Sequence, residues 1–226
     1  MAAAACALAA PTLARAQVGA TVTAASDFRL RGVSLSDRRA ALSFSLASDQ
    51  ANGLYFGGTA TLTDTAHEGP EFLGHSEYIG YAHRGARGPG IDLGISRQDY
   101  RVYLERRYRV RYTQVYAGLI GDNLRTHVSW LPNYPRDGVD VIYADADAAM
   151  RPAPNWRVSG HVGVLNRLGG AYERDGPRHR ADLRLGLARE FEGSEVELAW
   201  VAVSAKPRQH PEEARGGLVL SASVFF

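Results

Sequence analysis

The sequence predicts an all-β fold: a closed antiparallel up-and-down transmembrane β-barrel of about twelve strands. Three observations lead there. Apolar and polar residues alternate with a period of two through most of the chain, short connections alternate with longer ones, and the last strand ends in an aromatic residue.

The chain opens with an apolar leader. Residues 2–14 are small and apolar, and Ala14-Arg15-Ala16 supplies an A-x-A cleavage signal before Gln17. Residues 1–16 therefore read as a cleaved signal peptide and 17–226 as the barrel domain. The single cysteine, Cys6, falls in the leader, so the mature chain has no thiol. Disulfides, thiolate metal sites and cysteine nucleophiles are thereby excluded. After Gln17 no apolar run reaches the roughly 18 residues that a spanning helix needs. Charge is nearly balanced, with a formal net value of +2, so the chain as a whole does not attract nucleic acid.

The first strand displays the alternation. Val18, Ala20, Val22, Ala24, Phe28 and Leu30 share one face, and Gly19, Thr21, Thr23, Asp27, Arg29 and Arg31 share the other. Successive side chains on a strand point to opposite faces. The same pattern places strands near 18–31, 40–49, 53–63, 76–85, 89–99, 107–120, 123–131, 139–151, 155–166, 179–191, 195–205 and 216–226. In the sixth of these the apolar face switches between Val110 and Val115, which predicts a bulge. Connections after even strands are short, such as Gly121-Asp122 and Glu192-Gly193-Ser194. Those after odd strands, at 64–75, 98–106, 167–178 and 206–215, are mostly longer. Tight periplasmic turns and longer outer loops describe an outer-membrane barrel. An even strand count then puts both termini on the periplasmic side. Sandwiches and soluble barrels also alternate, but their apolar face turns inward. Here the polar face holds Gly, Ser, Thr and charges, and suits a lumen. The apolar face would then meet lipid, where every backbone group must be paired and closure is obligatory.

The chain ends Phe225-Phe226. A terminal aromatic places a ring at the lipid interface, and Phe226 is the residue expected to be read by the barrel assembly machinery.

The block Ser26-Asp27-Phe28-Arg29-Leu30-Arg31-Gly32-Val33-Ser34-Leu35-Ser36-Asp37 resembles the opening of the TorF family of porins, which reads S-D-aromatic-R-aromatic-R-G before a polar loop with S-x-S-D. Leu30 replaces the family's second aromatic residue. Gly53-Leu54-Tyr55-Phe56-Gly57, Tyr112 to Leu119 and the last strand are also similar to that family. The resemblance implies a small outer-membrane barrel with a pore role. It carries no substrate and no catalytic residues.

The lumen face would hold the pore-lining candidates Asp27, Arg29, Arg31, Asp92, Arg125, Asp145, Asp147, Arg157, Asp182, Arg184, Glu195 and Glu197. Charge rings or opposed charged walls are how pores select ions. The same residues can instead neutralise one another as an ion-pair ladder that closes the barrel. Arg101, Arg106, Arg107, Arg109 and Arg111 form a basic cluster near the outer end of strands five and six. It reads as a solvated loop, an anion-attracting mouth or a rim for lipopolysaccharide phosphates. His127-Val128-Ser129 puts a base and a hydroxyl on one strand face. With Asp137 or Asp140 as orienting acid it would resemble the site of a lipid hydrolase. No G-x-S-x-G, Walker, H-E-x-x-H or calcium-loop motif is present, and no cofactor is expected.

The leading expectation is a passive outer-membrane channel for small hydrophilic solutes, with lipid and lipopolysaccharide as its surroundings. A closed structural or adhesion barrel that binds a partner through its outer loops is the alternative. A lipid hydrolase is the third.

Overall fold

A computed structural model of the chain describes residues 17–65, 69–85, 88–102, 108–134, 137–170, 177–204 and 216–226. The leader at 1–16 and the segment 205–215 lie outside the described residues. Fourteen strands are present among the described residues: β1 Gln17–Ala25, β2 Arg29–Leu30, β3 Val33–Ser34, β4 Ala41–Asp49, β5 Leu54–Thr65, β6 Gly69–His83 and β7 Gly90–Val102. They continue as β8 Tyr108–Ile120, β9 Leu124–Leu131, β10 Val141–Ala153, β11 Trp156–Arg167, β12 His179–Phe191, β13 Ser194–Val203 and β14 Gly217–Phe225. Twelve of them close an antiparallel barrel, and β2 and β3 form a separate two-stranded hairpin.

Closure is made by β1 and β14, in register from Thr21 opposite Phe225 to Ala25 opposite Ser221. Reciprocal backbone bonds between Ala20 and Phe226, 2.9 and 3.2 Å, bring the start of β1 and the chain end to one rim. The opposite rim, termed the outer one, carries residues 26–40.

The alternation sorts the two faces as expected. Phe44, Leu46, Ile79, Ile95, Val128, Val162, Leu185, Leu198 and Leu220 are exposed on the outside. Trp130, Trp156 and Trp200 join them. Their polar strand neighbours point inward, several fully buried. An apolar exterior around a polar interior is the surface of a barrel that crosses lipid.

Four expectations need correction. The first barrel strand stops at Ala25 rather than Arg31, because the chain turns into the lumen after Ser26. The anticipated loop 64–75 is mostly strand, since β5 and β6 pair out to Thr65 opposite Gly69. Likewise the 98–106 connection is mostly strand, as β7 and β8 pair out to Val102 opposite Tyr108. Finally, β8 contains no bulge: its pairing with β7 runs without a shift. Val110 and Tyr112 turn inward because an apolar cluster waits there, which explains the apparent change of face. A bulge does occur on β6, where Thr61 pairs with Gly74 and Leu62 with Phe72. The extra residue, Leu73, is driven inward and fully buried in that same cluster. A second irregularity lies between Met150 and Ala153.

Leu185 lies on the outer surface between Gly160 and Trp200, its cross-strand neighbours. Leu185→Arg places a guanidinium in the apolar band. Urea titration of folding into lipid vesicles should show a loss of about 2–4 kcal/mol.

Candidate functional site

The interior consists of two unlike arcs and a hairpin. On the arc made by β1, β4, β5 and β14 most inward residues are small and many are hydroxylated, with Tyr55 on β5 a large exception. Thr23 and Ser223 are 2.9 Å apart, Ser43 and Thr61 3.0 Å, and Ser45 and Thr59 2.8 Å. These cross-strand hydroxyl pairs satisfy one another without charge.

The arc from β7 to β13 carries the ionisable groups. Near the inner rim Arg157 forms a bidentate pair with Glu195, Nε to Oε2 at 3.0 Å and Nη2 to Oε1 at 2.5 Å. Arg184 pairs with Glu197, whose Oε1 also accepts from Ser159 Oγ at 2.9 Å. Further out, His161 stands between two carboxylates, with Nδ1 2.8 Å from Asp147 and Nε2 3.1 Å from Asp182. Tyr143 donates to Asp182 at 3.1 Å. Its ring fits there because Gly163, on the adjacent strand, leaves the space its hydroxyl occupies. Beside this group runs a second chain. Tyr55 donates to Asp92 at 2.5 Å and lies 2.7 Å from the Tyr116 hydroxyl, and His127 Nε2 is 2.8 Å from Asp92.

The hairpin closes the outer half. Arg31 and Gly32 have φ of 49° and 78°. Positive φ at both central residues is the signature of the two-residue turn that suits twisted hairpins. Asp27 fixes the base. It accepts from Arg29 Nε at 2.6 Å, Ser34 Oγ at 2.6 Å and Ser36 Oγ at 3.0 Å. Ser36 Oγ in turn accepts from the Phe28 N–H at 2.8 Å. The tip reaches across the lumen, so that a Cβ at Gly32 would lie 3.0 Å from the Ala202 carbonyl oxygen and 3.1 Å from Asp182 Cβ. Arg31 is 4 % exposed. It donates to Gln114 Oε1 at 2.7 Å and lies over the rings of Tyr143, Tyr112 and Tyr134 at 4.3, 5.0 and 5.7 Å. Desolvated guanidinium over aromatic faces is stabilised by the ring quadrupoles. Leu30 and Leu35 pack with Leu73, Tyr100, Leu131, Val141 and Leu165, and Phe28 lies against them.

The family profile of a bacterial protein of unknown function, Gcw_chp, matches residues 9–225. The chain belongs to the Gcw_chp family. No curated protein matches its sequence. Two solved structures share the architecture at very low identity. The NanC porin is 9% identical with a TM-score of 0.57, the alignment covering 93% of this chain and 99% of that one. The KdgM porin is 10% identical with a TM-score of 0.50, covering 92% and 98%. These likenesses establish a porin-like barrel fold for the Gcw_chp chain.

Within it, Asp92, Arg125, Asp145, Asp147, Arg157, Asp182, Arg184, Glu195 and Glu197 face inward on barrel strands. Asp27, Arg29 and Arg31 are also inside, but on the hairpin and its base rather than on the wall. The wall charges lie on β7 to β13, mostly paired, while hydroxyls line β1, β4, β5 and β14. His127 and Ser129 are buried on the inner wall, away from the lipid-facing surface. The acids near His127 are Asp92 and Asp145, not Asp137 or Asp140, which sit by the outer turn. Arg109 and Arg111 point outward and clasp Asp99, at 2.5 and 3.0 Å. Arg106 and Arg107 lie outside the described residues. Sequence reasoning missed the hydroxyl arc, His161, and the aromatic set around Arg31. The inward alternation of Ser43, Ser45, Thr59 and Thr61 was the available signal for the first.

Asp27→Ala removes the carboxylate that Arg29 Nε, Ser34 Oγ and Ser36 Oγ share inside the barrel, leaving Arg29 with the Gly32 carbonyl and Ser36 with the Arg39 carbonyl. Breaking such a buried pair costs about 3–5 kcal/mol when the partner stays buried. The hairpin can escape that cost by swinging out. Trypsin added to intact proteoliposomes should then cut after Arg29 and Arg31, sites protected in the parent protein, with mass spectrometry reading the fragments.

Proposed function

We propose that this barrel is an outer-membrane channel for the passive diffusion of small hydrophilic solutes, closed at its outer mouth in this conformation by the 27–36 hairpin. The observation that carries the reading is the division of the interior. The inner half is lined by hydroxyls on one side and by partly solvent-exposed Arg125, Asp147 and Arg184 on the other. A barrel needing only to be solid gains more from apolar filling, since buried ion pairs seldom repay their desolvation. The TorF-like S-D-F-R-L-R-G block supports the same reading, because it supplies the hairpin. The apolar leader supports export and an outer-membrane location. The outward Arg109 and Arg111, with exposed Arg97 and Arg101 nearby, suit lipopolysaccharide phosphates, and Phe226 suits recognition by the assembly machinery.

One observation favours the second reading, a closed structural barrel: the apolar cluster of the outer half is as tightly buried as a soluble core. Planar-bilayer recording separates the two. Replacing residues 29–34 by a Gly-Ser segment should raise single-channel conductance several-fold over the parent protein. If neither protein conducts, or liposomes containing either swell no faster than empty ones, the channel reading fails and the structural one stands.

A smaller change probes the same closure. Gly32→Val forces a β-branched residue into a left-handed conformation costing about 1–3 kcal/mol, against backbone at contact distance. Its open-state occupancy in bilayers should rise above that of the parent, while barrel folding, read by heat-modifiable gel mobility, is retained.

A further inference from the structure

Asp145 and Asp147 sit two residues apart on the inner face of β10. His127 is opposite Asp145 on β9, and His161 is opposite Asp147 on β11. The Asp145 side chain is 0% exposed, and neither of its oxygens has a hydrogen-bond partner. The His127 Nδ1 atom that faces it lies 3.9 Å from Oδ2, too far for a hydrogen bond, and is also without a partner. Asp147 Oδ2 is a third acceptor without a hydrogen bond; Arg125 Nη2 lies 3.7 Å from it. A buried carboxylate with both oxygens bare is costly unless a cation supplies the missing partner.

The geometry points to a divalent transition-metal ion held by Asp145, Asp147 and His161. One ligand atom from each lies within 4.8 Å of the others. Donors about 2.0–2.2 Å from a shared ion stand roughly 3.5 Å apart in a tetrahedral site, so small side-chain movements complete the set. His161 is already oriented for the task. Its Nδ1 is 2.8 Å from Asp147 Oδ1, a contact that the ion replaces as the Nδ1 proton is released to solvent, while Nε2–H donates to Asp182 at 3.1 Å, and Asp182 is held by the Tyr143 hydroxyl at 3.1 and 3.2 Å. A ligating imidazole whose second nitrogen donates to a carboxylate is the usual outer arrangement of protein metal sites. Two carboxylates and one imidazole, with no thiolate, suit zinc, manganese, cobalt or ferrous ions rather than cuprous ion. Asp147 is about one-third exposed to the lumen, which gives the ion a route in. Arg125 competes for Asp147, so its charge weakens the site.

The chelator-stripped, folded protein in detergent micelles is titrated with Co²⁺, and visible ligand-field absorption is followed. One equivalent per barrel should bind and be displaced by Zn²⁺. Asp145→Asn, nearly isosteric, should weaken binding by at least ~10-fold, and Asp182→Asn, which alters only the orienting partner, by roughly 10-fold or more. Arg125→Gln should tighten it. Heat-modifiable mobility confirms the fold of each variant, and Asp182→Asn carries the prediction should Asp145→Asn not fold. Absence of Co²⁺ uptake by the parent protein overturns the proposal, and so does uptake that these substitutions leave unchanged.

Discussion

The structure depends on one constraint: backbone N–H and C=O groups that face hydrocarbon have no water to bond, so the sheet must close on itself. The seam between β1 and β14 meets that demand, extended by the reciprocal bonds of Ala20 and Phe226. Once it is closed, strand alternation leaves only two destinations for a side chain. Everything apolar on one face meets lipid, and everything on the other is committed to the interior, whatever its charge. The inner arrangement of acids, bases and hydroxyls is a consequence of that sorting.

The interior then has to solve its own problem. A side chain turned inward is partly or wholly desolvated, so each charge requires a partner. Arg157 with Glu195, Arg184 with Glu197 and Arg29 with Asp27 are local solutions, each within one arc or one hairpin. Arg31 is a different kind of solution. It is spread over three tyrosine rings and a glutamine drawn from separate parts of the barrel. Its position therefore ties the hairpin to β8 and β10 as firmly as the turn ties it to β12 and β13.

Most of the barrel was legible in the sequence because a period of two is a direct imprint of the two faces. Strand positions from β4 onward follow it within a few residues, except at the outer end of β6, which begins at Gly69 rather than near 76; β5 and β7 also run two or three residues further out than read. Those ends were hidden because outer strands need no apolar exterior beyond the lipid, so the pattern fades at Thr65, Glu71 or Arg101 while the hydrogen bonding continues. The hairpin was hidden for the opposite reason. Phe28 and Leu30 alternate with Asp27, Arg29 and Arg31 as a strand would, and the alternation is real, but it is that of a strand inside the barrel. Only Arg31-Gly32, a turn pair, and the serines that converge on Asp27 distinguish the two. Among the candidate pore residues, facing was legible and partnership was not. Which acid meets which base depends on barrel shear, which brings Asp92 on β7 to His127 on β9 and is not written in any single strand.

Residues 26–40 connect β1 to β4, and β1 is also the strand that closes the cylinder against β14. The inserted segment is thus synthesised first, at the edge that waits longest for its mate. Eleven further barrel strands follow it in sequence, the last being the partner edge on β14. The 27–36 segment is thus a guest in a cylinder whose width is fixed by its twelve strands and their stagger, so a longer or bulkier insert between β1 and β4 has no room to grow except outward through the mouth.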